Sequence, residues 1–238
     1  MRHTILALLS LLMFLCTPLC AQNIYLLSVG ISDYEGSSND LRLPVNDARA
    51  VSALYSKNGS ATVEMLLDSD ATGENIKKRM ASLFSKAGKN DIVVLFFSGH
   101  GSHNGIAAYD GIVSYESIRK LLSRCKSINK MVFIDSCFSG EIRVSGHSNR
   151  ASKTQNVMFF LSSRSNETSI EGAAMKNGLF TAFLERGLRG GADSDRNRTV
   201  TAKELYDFVS KGVKEASYDK QHPVMWGNFS NNMPVIKW

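Results

Sequence analysis

Five short, almost continuous apolar runs constrain this chain more than anything else in it. They lie at 24–31 (IYLLSVGI), 63–67, 91–97 (DIVVLFF), 130–134 (KMVFI) and 157–161 (VMFFL). A strand that is apolar at nearly every position has to be covered on both faces, which is the pattern of buried parallel strands. Between the runs, apolar residues recur every three to four positions. Ala48, Val51, Leu54 and Tyr55 share one face behind Asn46 and Asp47, and Ile76, Met80, Leu83, Phe84 and Ala87 share another. Ile118, Leu121 and Leu122 follow a candidate cap at Ser114. Leu179, Phe180, Phe183, Leu184 and Leu188 form a fourth stripe, and Leu205, Phe208, Val209 and Val213 a fifth. The fifth is opened by Thr201-x-x-Glu204, a capping box. Strands alternating with helices predict an α/β domain around a mostly parallel sheet. No repeat or linker divides the chain, and the polar stretch 141–156, rich in Ser, Arg and Lys, reads as a long loop.

Composition agrees with one globular domain of above-average size. The chain has 238 residues, 43% hydrophobic and 21% charged, which excludes a disordered or fibrous protein. The first 21 residues read as a signal peptide for export to the periplasm or exterior. Arg2 and His3 precede an apolar stretch from Ile5 to Cys16, followed by Pro18 and by Ala21 ahead of a polar residue. A lipidated Cys16 or Cys20 is the weaker alternative, because Leu precedes each where a small residue is expected. The apolar stretch is shorter than the roughly 20 residues a bilayer span needs, so no stable membrane anchor is expected. Removing 21 residues from 238 leaves 217, takes out one cation, Arg2, and leaves 27 basic against 22 acidic residues. Only Cys125 and Cys137 remain, too few for a disulfide framework. The positive charge is spread out, without a dense basic patch, so nucleic acid is not an expected partner.

In parallel α/β sheets, ligands bind beyond the carboxyl ends of the strands. Two strand ends here are chemically unusual. After DIVVLFF comes Ser98-Gly99-His100-Gly101, and after KMVFI comes Asp135-Ser136-Cys137. Neighbouring strands lie about 4.8 Å apart, so residues leaving matching exits can face one site. A thiol attacks as its thiolate, and an imidazole, with a reference pKa of about 6.5, is the natural base or ion-pair partner. His100 and Cys137 are therefore the candidate catalytic pair, with the amides of Gly101 and Cys137 as candidate oxyanion donors. This pattern suits acyl transfer through a thioester. His103, His147 and His222 lack such a setting. Cys125, behind an amphipathic helix, reads as a bystander thiol.

The segment FFSGHG, with the Cys of FIDSCFSG 37 positions after its His, resembles the caspase-like cysteine peptidases of the metacaspase and bacterial branch. The motif Asp135-Ser136-Cys137 is similar to the metacaspase pattern, with Phe138 where His is frequent. LRLPVNDA at 41–48, LSSRSNETSIE at 161–171 and GLFTAFLERGLRGGAD at 178–193 extend the resemblance over 24–225. It implies a caspase-like three-layer sandwich with a mostly parallel six-stranded sheet. A large-subunit-like part would run to about residue 140, a basic processing loop over 141–156 and a small-subunit-like part from 157, all within one peptidase domain at 22–238.

The resemblance also implies a protein or peptide substrate and an S1 pocket lined by Asp47, Ser98 and Asp135. Two carboxylates in one pocket favour a cationic side chain, so cleavage is expected after Arg or Lys. The basic loop offers Arg143, Arg150 and Lys153 for self-cleavage. Calcium, used by many metacaspases, is disfavoured: the region after Asp110 offers only Glu116. The run from Asp193 through Asp195, Asn197, Thr199 and Thr201 to Glu204 has EF-hand spacing, but Arg198 takes the glycine position and a polar turn fits as well. Two rival functions fit the same fold, an inactive caspase-like interaction module and a Cys-His transpeptidase or ligase.

Overall fold

The structure, a computed structural model, describes residues 22–102, 104–137, 156–164 and 175–238. Its centre is a six-stranded sheet. The strands are β1 (Ile24–Gly30), β2 (Ala61–Leu67), β3 (Ile92–Ser98), β7 (Asn129–Asp135), β8 (Val157–Leu161) and β10 (Val224–Asn228), in the order β10-β8-β7-β3-β1-β2. All pairs are parallel except β10 with β8. The five apolar runs are thus five of the six strands, each displaced by no more than two residues from its sequence bounds. β10 (VMWGN) escapes the hydrophobic pattern because it is an edge strand with partly exposed side chains. A meander of β4 (Gly101–Ser102), β5 (Gly105–Ala108) and β6 (Gly111–Ser114) leaves the end of β3, and β9 (Thr199–Thr201) pairs with β11 (Pro234–Lys237).

Strand alternation divides the core between the two faces. Leu27, Val29, Val93, Leu95, Phe97, Val132, Ile134 and Phe159 meet helices α2 (Gly73–Phe84) and α3 (Tyr115–Arg124). Leu26, Val94, Phe96, Met131, Phe133, Met158 and Phe160 meet α1 (Pro44–Tyr55), α4 (Leu179–Arg186) and α5 (Ala202–Ala216) on the other. Burying one such side chain contributes about 1.5–3 kcal/mol, so the sheet is a rigid platform for its exits. The helix starts follow local chemistry. Thr72 Oγ1 accepts from Asn75 N at 3.2 Å and Ser114 Oγ from Ser117 N at 3.2 Å, and Thr201 with Glu204 forms the expected capping box. α1 begins at Pro44, whose fixed φ and missing N–H suit the first helical position. Asn46 and Asp47 therefore lie inside its first turn rather than ahead of it.

The register fixes the site. Ser98 at the end of β3 stands opposite Gly30 of β1 and Asp135 of β7. His100 and Cys137 consequently leave the sheet at the same level, each two residues past its strand. From β1 the chain steps to β2 on one side and then to β3 on the other, so the strand order reverses between β1 and β3. That reversal opens the crevice where open α/β sheets bind ligands. No helix among the described residues is long and apolar enough to cross a membrane. The stretch 1–21, read from the sequence as a signal peptide, and the candidate cleavage points Arg143, Arg150 and Lys153 lie outside the described residues.

Candidate active site

The two exits touch. Beyond the strand ends, Gly99 N donates to Asp135 O at 3.2 Å, extending the β3–β7 ladder. A Cβ on Gly101 would lie 2.2 Å from Cys137 O and 2.8 Å from Ser136 Oγ, so only glycine lets the histidine exit approach the cysteine exit this closely. The peptide ahead of Cys137 is held from β8's exit: Ser136 N donates to Ser162 Oγ at 3.2 Å, and Ser162 Oγ donates to Ser136 O at 3.0 Å. Cys137 is a half-buried free thiol, whereas Cys125 is a buried one whose Sγ donates to Phe84 O at 3.3 Å. Burial pushes the Cys125 thiol up, which keeps it protonated and unreactive.

His100 is fixed on three sides. Its N–H donates to Tyr34 Oη at 2.9 Å, and Tyr34 Oη donates to Ala107 O at 3.1 Å. The two rings lie 4.8 Å apart, tilted by 46°. Burial, aided by the charge of Asp68, raises the Tyr34 phenol far above its ordinary range, so it is a neutral support. His100 Nε2 lies 2.8 Å from Asn39 O, in the short 3-10 turn Ser37–Asn39. A carbonyl only accepts, so Nε2 carries the proton and Nδ1 is left as the basic nitrogen.

One cavity of about 350 Å³ gathers His100, Cys137, Asp47, Ser98, Asp135 and Gly178, with Leu41 and Pro44 at its side. All five residues expected for the catalytic pair and the S1 pocket meet there. Asp47 accepts from Asn177 Nδ2 at 2.9 Å, Gly178 N at 2.9 Å and Ser98 Oγ at 2.8 Å. Asp135 accepts from Thr181 N at 3.2 Å and Thr181 Oγ1 at 2.8 Å. Burial, reinforced by the charge of Asp135, pushes the Asp47 carboxyl well above the usual carboxylate range, against the pull of its hydrogen bonds. Donated amides and hydroxyls orient both carboxylates beside a thiol and an imidazole.

The remaining candidates are elsewhere. His222 Nε2 lies 3.1 Å from Asp219 Oδ1 and does not line the cavity. His103 and His147 lie outside the described residues. Asp110 Oδ1 accepts from Gly73 N at 2.6 Å, at the start of α2. Asp193, Asp195 and Glu204 bring ligand oxygens within 4.8 Å of one another. These oxygens accept loop hydrogens. Asp193 takes the amides of Asn197 and Arg198, and Glu204 takes those of Ser194 and Thr201 together with both hydroxyls. Arg198 adopts the left-handed conformation (φ 65°) that a glycine would supply.

Sequence reasoning misses Tyr34, Asn39, Asn177, Thr181 and Ser162. Asn39 acts through a backbone carbonyl and leaves no signal in its side chain. Asn177-Gly178 ahead of an apolar stripe is a helix-start signal that could have flagged the segment above Asp47.

A family model described as "Caspase domain" matches residues 25–233. Metacaspase-4 of Arabidopsis thaliana is 28% identical over 136 residues, a match covering 47% of this chain and only 32% of that protein. The chain therefore spans about a third of the length of this relative. Among solved structures, a protein from Geobacter sulfurreducens superposes with a TM-score of 0.68 at 18% identity, covering 87% of this chain and 94% of that one. Caspase-1 from Spodoptera frugiperda superposes with a TM-score of 0.64 at 16% identity, covering 88% of each chain. At these identities the likeness speaks for the fold.

Proposed function

The chain belongs to the caspase-domain family, and on that premise we propose that it is an exported cysteine endopeptidase cleaving after Arg or Lys. The observation that carries this reading is the convergence of His100, Cys137 and two buried carboxylates on one cavity. Nδ1 of His100 takes the proton of Cys137, since Nε2 is committed to Asn39. The thiolate attacks the scissile carbonyl, and the amides of Gly101 and Cys137 stabilise the oxyanion. His100 then gives its proton to the departing amine, leaving a thioester. Water, deprotonated by the same imidazole, hydrolyses the thioester and restores the thiol.

Specificity follows from the depth of Asp47 and Asp135 in the cavity. A guanidinium reaching them exchanges water for charge-assisted hydrogen bonds, whereas an aspartate side chain would meet like charge. Processing within the basic segment at Arg143, Arg150 or Lys153 belongs to the same reading, because these residues are substrates of the proposed specificity. Intact-mass analysis of wild type and Cys137→Ala tests it: fragments in the wild type alone support self-cleavage, and identical fragments in both exclude it. The main reading is tested with fluorogenic peptides ending in Arg, Lys or Asp. Turnover of the Arg and Lys peptides, lowered by roughly 10³-fold or more in Cys137→Ala, is expected. Turnover confined to the Asp peptide would sink it.

A further inference from the structure

The hydrogen-bond ladder between β7 and β8 is interrupted at one place, directly before Cys137. In a regular parallel ladder a residue donates its N–H to a carbonyl of the neighbouring strand. Its own carbonyl then accepts the N–H found two residues further along that strand. Ser162 begins this pattern, since its N–H donates to Ile134 O at 2.9 Å. The regular continuation would take Ser136 N–H to Ser162 O. It goes instead to Ser162 Oγ at 3.2 Å, and the same hydroxyl donates to Ser136 O at 3.0 Å. Ser162 O accepts from Gln221 Nε2 at 2.9 Å, beyond the end of α5. Ser136, Ser162 and Gln221 are all buried. A side-chain hydroxyl thus replaces a backbone bond and holds Ser136 at both its N–H and its carbonyl.

That hold sets a direction. The Ser136–Cys137 peptide is trans, so its C=O and N–H point opposite ways. β7 lies between β8 and β3. With the carbonyl drawn to Ser162 on the β8 side, Cys137 N–H faces the β3 side, where Gly101 lies against the cysteine exit. Among the described residues, Cys137 N–H meets no acceptor. Gly101 is opposite Ile106 of β5, and Ala107 N donates to His100 O at 3.0 Å. Gly101 and Ile106 are therefore a pair without direct hydrogen bonds, and Gly101 N–H faces away from β5. Neither amide is engaged by its own sheet.

We propose that Ser162 is a positioning residue for the oxyanion: its hydroxyl turns the Ser136–Cys137 peptide so that the Cys137 amide faces the carbonyl under attack. The inference rests on the reading of Cys137 as a peptidase nucleophile. As Cys137 Sγ bonds to the substrate carbonyl carbon, the π pair of that C=O bond moves to its oxygen. The aimed N–H meets the new charge. Without the hydroxyl, Ser136 N–H and C=O lose their shared partner and the peptide is free to turn. Substrate binding and thiolate formation do not draw on this amide.

The test separates attack on a carbonyl from reactivity of the thiol. In Ser162→Ala, kcat for the best-cleaved peptide is expected to fall about tenfold to hundredfold at every pH. The inhibition constant of the product peptide should stay within about twofold. Alkylation of Cys137 by iodoacetamide, a displacement in which no oxyanion forms, should keep its rate and its pH profile. Ser162→Thr retains the hydroxyl and should recover most of the loss. An unchanged kcat in folded Ser162→Ala overturns the inference. A fall in alkylation matching the fall in kcat overturns it too, because the hydroxyl then supports the thiol rather than the oxyanion. If Ser162→Ala does not fold, Ser162→Cys, close in shape but a weak donor, is read by the same criteria, with the alkylated residue identified by peptide mass mapping. A wild type that hydrolyses no peptide overturns the peptidase reading, and this inference with it.

Discussion

The molecule carries two clusters of acidic side chains whose carboxyls shift in opposite directions. Asp47 and Asp135 are buried beside His100 and Cys137, whereas Asp193 and Asp195 lie in a surface loop and Glu204 in the first turn of α5. Burial and the neighbouring charge raise the Asp47 carboxyl well above its usual range. At Glu204 desolvation acts in the same direction, but hydrogen bonds from Thr201 and Ser194 outweigh it and pull the carboxyl down to about 2. The buried pair lines the cavity that also holds His100 and Cys137. The surface cluster is occupied by its own loop amides and serves the start of α5. The balance of burial against hydrogen bonding separates the two cases: at Asp47 burial outweighs the donated hydrogen bonds, and at Glu204 the hydrogen bonds outweigh burial.

The largest effect that should break this contrast is in the pocket. Asp47→Asn and Asp135→Asn are each expected to lower kcat/KM for arginine peptides by roughly 10²-fold. Peptides ending in citrulline, whose neutral urea has the shape of the guanidinium, should lose far less, as read from paired assays. Glu204→Gln should leave the arginine-to-citrulline ratio unchanged.

The pH dependence of folding gives an intermediate effect of opposite sign at the two clusters. Asp47 has a folded-state pKa above its unfolded value. Its contribution to stability is full below the ordinary Asp range and is lost as pH rises through the raised value. Glu204 has a folded-state pKa below its unfolded value. Its contribution is present at neutral pH and is lost as the pH falls from the ordinary Glu range towards about 2. Urea midpoints measured across pH should show Asp47→Asn flattening the alkaline decline and Glu204→Gln flattening the acid one. The smallest effect is the cost of Glu204→Gln near neutral pH, about 1 kcal/mol from the weakened capping box, seen as a lower thermal midpoint with unchanged cleavage.

Much of this was legible in the residues. Apolar runs fix five strands because a strand buried on both faces has little choice of composition, and helical stripes fix the covering layers. His100 and Cys137 stand out because each leaves a buried strand among glycines and small residues. The resemblance adds Asp47, which no local pattern marks as a pocket residue: it sits in the first turn of a helix and reaches the site through the fold. β10 stays hidden because an edge strand needs no continuous hydrophobicity. Asn39 stays hidden because its carbonyl, rather than its side chain, meets His100. Asn177, Thr181 and Ser162 act across 130, 46 and 26 residues of sequence, and no local periodicity records contacts of that range.

In the proposed reaction one thiol is armed by one imidazole beside a pocket for cations. The most direct measurement is labelling by a peptidyl chloromethylketone ending in Arg, with the adduct mapped by peptide mass spectrometry and an Asp-ended reagent as comparison. An Arg-directed adduct is expected on Cys137, with none on the buried Cys125 and strongly slowed labelling in His100→Ala. Equal labelling by the Asp-ended reagent, or no adduct on Cys137, would contradict it.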